Sequence, residues 1–149
     1  MTNVPVIAHL QFDISQGAAG IEAVRLGLLQ RLAACELSTR SIYALELVLD
    51  EWLSNVARHS AAIDETSTVD IQVRVLAQAL ELRFEDRQPA FDPLSQPAPQ
   101  RVLSLDDVRP GGLGLELIRT QTSSLHHERA GDRNVFVACI PRHPRGTAT

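Results

Sequence analysis

The sequence predicts an α+β fold of two layers, in which a mixed, mostly antiparallel sheet is covered on one face by helices. Apolar and polar residues alternate near the N-terminus, in the middle and near the C-terminus of the chain, which is the spacing of strands. Between the first two of these segments, apolar residues recur every three or four positions, which is helical spacing. The 149 residues are about the size of one domain, so we expect a single domain over 1–149 with a frayed tail at 143–149.

The first half of the chain predicts one strand followed by two helices. Alternation from Val4 to Ile14 indicates the strand, and Gly17 and Gly20 then interrupt the pattern. The segment from Ile21 through Leu37 has the spacing of an amphipathic helix. Ser38 is a candidate N-cap for a second and longer helix that runs to Ser60. Its wide apolar face is formed by Ile42, Leu45, Leu49, Trp52, Leu53 and Val56.

The second half predicts a hairpin, a long loop, a helix and a final strand. Alternation over 69–86 with a turn near Gln78 indicates the hairpin. The segment from Gln88 to Pro110 contains five of the eight prolines and little periodicity, so we interpret it as a functional loop or lid. Three glycines then precede a helix, and an apolar strand over 133–141 follows a predicted turn at Gly131 and Asp132.

The composition excludes several classes of protein. With 44% hydrophobic and 21% charged residues the chain resembles an ordinary globular protein. A net charge of -4 and a pI near 5.7 argue against a nucleic-acid partner, which requires a basic face. Cys35 and Cys139 have no metal-site or disulfide spacing. Neither a membrane span nor a leader peptide is predicted, so we expect a cytoplasmic protein.

Three polar clusters are candidates for chemistry, and the first lies on the long helix. Glu51, Asn55 and His59 are spaced i, i+4 and i+8, so they share one face. Asn55 could offer an oxygen to Mg²⁺, and Glu51 could accept a proton from an attacking hydroxyl. The alternative is a solvated polar face, and His59 receives no role.

The second cluster lies at the end of the hairpin, in the segment Phe84 to Pro93, which includes Phe91. Parity places Asp86 on the core-facing side of its strand, where it could accept a hydrogen bond from an exocyclic amino group such as that of adenine. The alternative is an Asp that caps the following turn.

The third cluster is the glycine-rich segment Arg109 to Leu115. Its glycines would let backbone N–H groups approach phosphate oxygens, and the N-terminus of the following helix supplies positive potential. The alternative is a flexible loop that enters a packed helix. The segment comprises Arg109, Pro110, Gly111, Gly112, Leu113, Gly114 and Leu115.

Taken in order, the three clusters resemble the N, G1 and G2 boxes of the GHKL (histidine kinase-like) ATPase superfamily, and most closely the anti-sigma-factor serine/threonine kinases. The resemblance implies the Bergerat ATP-binding fold, ATP and Mg²⁺ as cofactors, Glu51 as general base and Asn55 as Mg²⁺ ligand. It implies that Asp86 binds adenine and that Arg58 lies near the phosphates. It further assigns the nucleotide site to Phe91, Arg109, Gly111, Gly112, Leu113, Gly114 and Leu115.

The same resemblance implies a function by partner switching. Kinases of this type phosphorylate an anti-sigma-factor antagonist and sequester a sigma factor or similar regulator, and we expect a homodimer. Sensor kinases and gyrase-like ATPases would need further domains. One departure stands out, because Gln88 occupies a position where the G1 box normally has glycine. The alternative function is therefore a non-catalytic protein-binding switch with a degenerate nucleotide site.

Overall fold

The computed structural model describes residues 4–60, 64, 67–91 and 114–142. Within these ranges the chain forms five strands and three α-helices. Short 3₁₀ helices lie before and after the first α-helix, at Ile14–Gln16 and Ala33–Cys35. The elements are β1 (Ala8–Asp13), α1 (Gly17–Leu32), α2 (Thr39–Arg58), β2 (Thr68–Val75), β3 (Ala79–Asp86), α3 (Gly114–Gln121), β4 (Ser124–Ala130) and β5 (Arg133–Pro141).

The strands form one sheet in the order β1-β2-β3-β5-β4, and each of the four described pairs is antiparallel. Register places the strand residues that join the hydrophobic core on one face, which is the face packed against the helices. The opposite face carries ion pairs such as Arg74 with Glu81. The predicted two-layer α+β fold is therefore confirmed.

The long helix α2 begins as the sequence predicts. Ser38 lies in extended backbone, and its side chain accepts a hydrogen bond from the Ser41 N–H, which caps the helix. The apolar face of α2 packs on the sheet through Trp52. The Trp52 ring stacks on Phe136 of β5, with the centroids 3.9 Å apart, and lies 6.2 Å from Phe84 of β3. This aromatic cluster fixes α2 across the two central strands.

The start of α1 differs from the prediction. The helix begins at Gly17 and includes Gly20, whereas the sequence suggested that both glycines precede it. A Cβ at Gly20 would approach the Cβ of Gln16 to 2.9 Å and the Phe12 ring to 3.0 Å. Close packing at the start of α1 and against β1, and not chain reversal, therefore favours glycine here.

Strand β4 was not predicted. Its sequence lacks apolar alternation, because it is an edge strand with mostly exposed or half-buried residues. The predicted turn at Gly131 does form, with φ of 62°, and it joins β4 to β5 in a hairpin. None of the described helices is long and apolar enough to cross a membrane. Residues 92–110 of the proposed lid and the tail 143–149 lie outside the described residues.

Replacement of Trp52 with Ala should lower the free energy of unfolding by about 3–5 kcal/mol, because it removes the ring that stacks between α2 and the sheet. Urea denaturation followed by circular dichroism measures the change. Tyr43 on the same helix is 60% exposed, so Tyr43→Ala is the matched control and should cost less than about 0.5 kcal/mol. A loss below about 1 kcal/mol for Trp52→Ala would show that the stack does not hold α2 in place.

Candidate functional site

Glu51, Asn55 and His59 form a polar stripe along α2, and this stripe contacts the first residue of α3. Glu51 is half-buried, and its carboxylate lies so close to Gly114 that a Cβ at this position would collide with Glu51 Oε2 and lie 3.0 Å from the carboxyl carbon. Two of the predicted site residues, from separate segments of the chain, are therefore in contact. Gly114 does not have a positive φ, so the close approach of Glu51, and not backbone conformation, leaves no room for a side chain there unless Glu51 shifts.

Asn55 lies one helical turn beyond Glu51 and is only 8% exposed. Its Nδ2 has no hydrogen-bond partner within the described ranges. A buried amide without a partner is costly, which is a reason to expect a ligand beside it. No described group of three or more His, Cys, Asp or Glu side chains could hold a metal ion. A Mg²⁺ ion at Asn55 would therefore draw further oxygens from water and a bound phosphate, as this ion commonly does.

Asp86 ends β3 on the core-facing side of the sheet, as parity predicts. It is 5% exposed, and its Oδ1 accepts hydrogen bonds from the Gln88 N–H at 2.9 Å and from Asn134 Nδ2 at 3.0 Å. The first of these is the turn cap that the sequence offered as the alternative interpretation. No donor among the described residues engages Oδ2. One carboxylate oxygen thus holds the turn.

The turn after Asp86 is held from the β4–β5 hairpin. Asn134 Nδ2 donates to the carbonyl oxygens of Gln88 and Pro89 at 3.1 and 3.0 Å, and its Oδ1 accepts from the Phe91 N–H at 3.3 Å. Arg129 Nη1 donates to the Gln88 carbonyl at 2.8 Å. Gln88, which replaces the expected glycine, is itself 5% exposed.

The C-terminal end of the α2 stripe contacts the same turn. The rings of His59 and Phe91 are stacked, with centroids 4.5 Å apart and an angle of 19° between the planes. Glu51 therefore contacts the segment of the third cluster, and His59 contacts that of the second. The helix brings the described parts of the three predicted clusters together.

Arg58 lies elsewhere. It is exposed and, with Asp50 and Ser54, lines a cavity of about 660 Å³ between α1 and α2. Its assignment to the phosphates remains a prediction. Leu115 is partly buried against the core. The predicted site residues Arg109, Gly111, Gly112 and Leu113 lie outside the described residues.

Sequence reasoning missed Asn134 and Arg129. A signal for Asn134 was present, because it has the same parity as Phe136, Ala138 and Ile140, which are fully buried core residues of β5. An inward-facing Asn at a strand end calls for a partner in the same way that Asp86 does. Arg129 gave no such signal, since β4 itself was not predicted.

With this geometry established, comparison with known proteins identifies the family. The sequence signature of the histidine kinase-like ATPase domain matches residues 14–140. The chain belongs to this family. The predicted superfamily is thereby confirmed.

Relatives of this histidine kinase-like ATPase domain include a serine/threonine-protein kinase, BtrW, from Bordetella bronchiseptica. The two chains are 32% identical over 92 residues, which is 62% of this chain and 65% of BtrW. The alignment thus spans slightly less than two thirds of the relative.

Solved structures share the fold at low sequence identity. The RsbU and RsbW domains of Rv1364c from Mycobacterium tuberculosis match with a TM-score of 0.62 at 15% identity, over 95% of this chain and 35% of that one. The blue-light activated histidine kinase of Erythrobacter litoralis EL346 gives a TM-score of 0.51 at 13% identity, over 83% and 59%. These likenesses establish the histidine kinase-like fold alone.

A double-mutant cycle tests the Glu51–Gly114 contact. Gly114→Ala should lower the free energy of unfolding, because the new methyl group displaces Glu51. In a Glu51→Ala background the methyl group has room, and this loss should disappear. Urea denaturation of the four proteins should yield a coupling of at least about 0.5 kcal/mol. Additive effects would contradict the contact.

Proposed function

We propose that this protein is an anti-sigma-factor-type serine/threonine kinase that binds ATP and Mg²⁺ and phosphorylates an antagonist protein. The observation that carries the proposal is the contact of Glu51 with the first residue of α3, one turn from the buried amide of Asn55. The proposed base and the proposed metal ligand thus lie one helical turn apart, and the base lies beside a helix N-terminus. Phosphoryl transfer depends mainly on such positioning and on stabilisation of charge.

Each candidate site residue that the structure describes is then assigned a role in nucleotide binding. Asp86 Oδ2 accepts a hydrogen bond from the exocyclic amino group of adenine, which selects adenine over guanine because guanine has a carbonyl at the equivalent position. Asn55 Oδ1 supplies one ligand to Mg²⁺. The N–H groups of Gly114 and Leu115 at the start of α3 favour phosphate oxygens. Phe91 packs at the base, and Arg58 is assigned to the phosphates from the family resemblance.

In the transfer step, Glu51 accepts the proton of a serine or threonine hydroxyl on the antagonist. The hydroxyl oxygen bonds to the γ-phosphorus as the bond from that phosphorus to the β–γ bridging oxygen breaks, and ADP leaves with the electron pair. The remaining site residues, Arg109, Gly111, Gly112 and Leu113, are proposed to close around the phosphates.

The biological consequence is partner exchange. A phosphate adds nearly two negative charges, which can dissociate the antagonist from the kinase. The kinase is then free to sequester a sigma factor or similar regulator. We propose that it does so as a cytoplasmic homodimer.

A second function is favoured by one observation. Gln88 is buried and its backbone is hydrogen-bonded to Asp86 and Asn134, at the position where the family resemblance leads us to expect glycine. If this closed turn excluded the base, the protein would act as a non-catalytic switch that binds its partners without phosphoryl transfer.

Incubation of the protein with radiolabelled Mg-ATP and its candidate antagonist should label the antagonist on serine or threonine. Glu51→Gln should reduce the rate at least about a hundredfold while nucleotide binding persists, because the variant lacks only the base. Asp50→Asn removes the neighbouring carboxylate, which lines the cavity toward α1, and should leave the rate within about twofold. Partner binding without labelling by the wild-type protein would support the non-catalytic switch instead.

Removal of Mg²⁺ with a chelator should abolish labelling, and excess Mg²⁺ should restore it. Asn55→Ala should raise the Mg²⁺ concentration for half-maximal rate by roughly tenfold or more, because one oxygen ligand is lost. Ser54→Ala on the same helix turn is the control and should not shift this concentration. An unchanged Mg²⁺ requirement in Asn55→Ala would rule out this residue as a metal ligand.

A further inference from the structure

Three polar residues form a row across three adjacent strands on the helix-covered face of the sheet. Asp86 of β3 is in register with Asn134 of β5, and Asn134 is in register with Arg129 of β4. Cross-strand partners share a face, so all three side chains belong to the side that carries the core. The row lies at the end of β3 where the turn 87–91 begins.

The hydrogen bonds in this row converge on one amide. Asn134 has two Nδ2 protons, which are shared among Asp86 Oδ1 and the carbonyls of Gln88 and Pro89. Its Oδ1 accepts from Arg129 Nη1 at 3.1 Å and from the Phe91 N–H. Arg129 therefore orients the Asn134 amide, since a positive donor at Oδ1 fixes which end of the amide faces Asp86.

This arrangement determines what Asp86 can do. Asn134 and the Gln88 N–H both donate to Oδ1, which restrains the carboxylate and leaves Oδ2 with no donor among the described residues. Asn134 donates hydrogen bonds to the carbonyl oxygens of both Gln88 and Pro89, and Arg129 donates a further one to that of Gln88. These bonds restrain the backbone of the turn. A pre-organised acceptor loses less entropy when it binds a ligand.

We infer that Arg129 and Asn134 are positioning residues of the nucleotide site, which clamp the turn 87–91 and orient Asp86 for recognition of the base. The inference rests on the proposed function. It assigns to the β4–β5 hairpin a part in nucleotide affinity, with no direct contact to the reacting atoms and no part in the proton transfer at Glu51.

The clamp is tested first without nucleotide. Arg129→Met keeps the aliphatic stem but removes the donors, so hydrogen exchange of the amides of Gln88 and Phe91 should accelerate at least about tenfold. Arg133→Met is the matched control, because Arg133 lies in the same hairpin but pairs with Glu85 on the opposite face. Unchanged protection in Arg129→Met, or equal acceleration in both variants, overturns the clamp.

Nucleotide affinity is tested second. Titration with a fluorescent ATP analogue and Mg²⁺ should show a Kd raised about tenfold in Arg129→Met, partial recovery in Arg129→Lys, and wild-type affinity in Arg133→Met. Asn134→Asp, which places a second carboxylate beside Asp86, should weaken binding further. The rate at saturating ATP should stay within about threefold of wild type in Arg129→Met, since Glu51 is untouched.

Failure of the positioning role can be distinguished from failure of the proposed kinase function. If the wild-type protein binds ATP and Arg129→Met has the same Kd, the positioning role is wrong while the kinase proposal stands. If the wild-type protein binds no nucleotide, both fail. A lower rate at saturating ATP with an unchanged Kd would also contradict the inference, because it would place Arg129 in the chemical step.

Discussion

The stack of Trp52 on Phe136 is the contact on which the rest of the site depends. It fixes α2 across β3 and β5, and α2 carries the polar stripe whose ends touch the other two clusters. The stripe is adjacent to the buried face of the helix, so Asn55 is drawn to the edge of the core, where a polar group requires a partner. The helix that packs on the sheet is therefore the same helix that positions the residues of the candidate site.

The candidate site combines a hydrogen-bonded row on the sheet with a close contact between two helices at a glycine. On the sheet side, Asp86, Asn134 and Arg129 form a hydrogen-bonded row that sets the shape of the following turn. On the helix side, the absence of a side chain at Gly114 allows α3 to approach Glu51. The first arrangement restrains the carboxylate of Asp86, and the second places a helix N-terminus beside the carboxylate of Glu51. In the function proposed above, the two would serve a nucleoside triphosphate with its metal ion.

Much of the fold could be predicted, because strong periodicity accompanied clear boundary signals. The Ser38 cap, the 69–86 hairpin and the 133–141 strand are examples. Strand β4 could not be predicted, since an edge strand owes its conformation to pairing with β5 and not to its own pattern. The start of α1 was misplaced because a glycine inside a helix for close packing looks like a breaker.

The residues of the candidate site likewise divide into those that the sequence predicted and those that it did not. Glu51, Asn55 and Asp86 became candidates from spacing and parity within single elements, and the structure places Glu51 against Gly114 of the third cluster. Asn134 and Arg129 depend on the register between β3, β5 and β4, which the sequence does not state. The contact of His59 with Phe91 likewise joins residues that are distant in the chain.

A crystal structure of the protein with Mg²⁺ and a non-hydrolysable ATP analogue tests the central claim most directly. The account predicts the adenine amino group within hydrogen-bond distance of Asp86 Oδ2, Asn55 Oδ1 coordinated to the metal, and the phosphates at the start of α3. A nucleotide bound away from Asp86, or bound with no metal contact to Asn55, would contradict it.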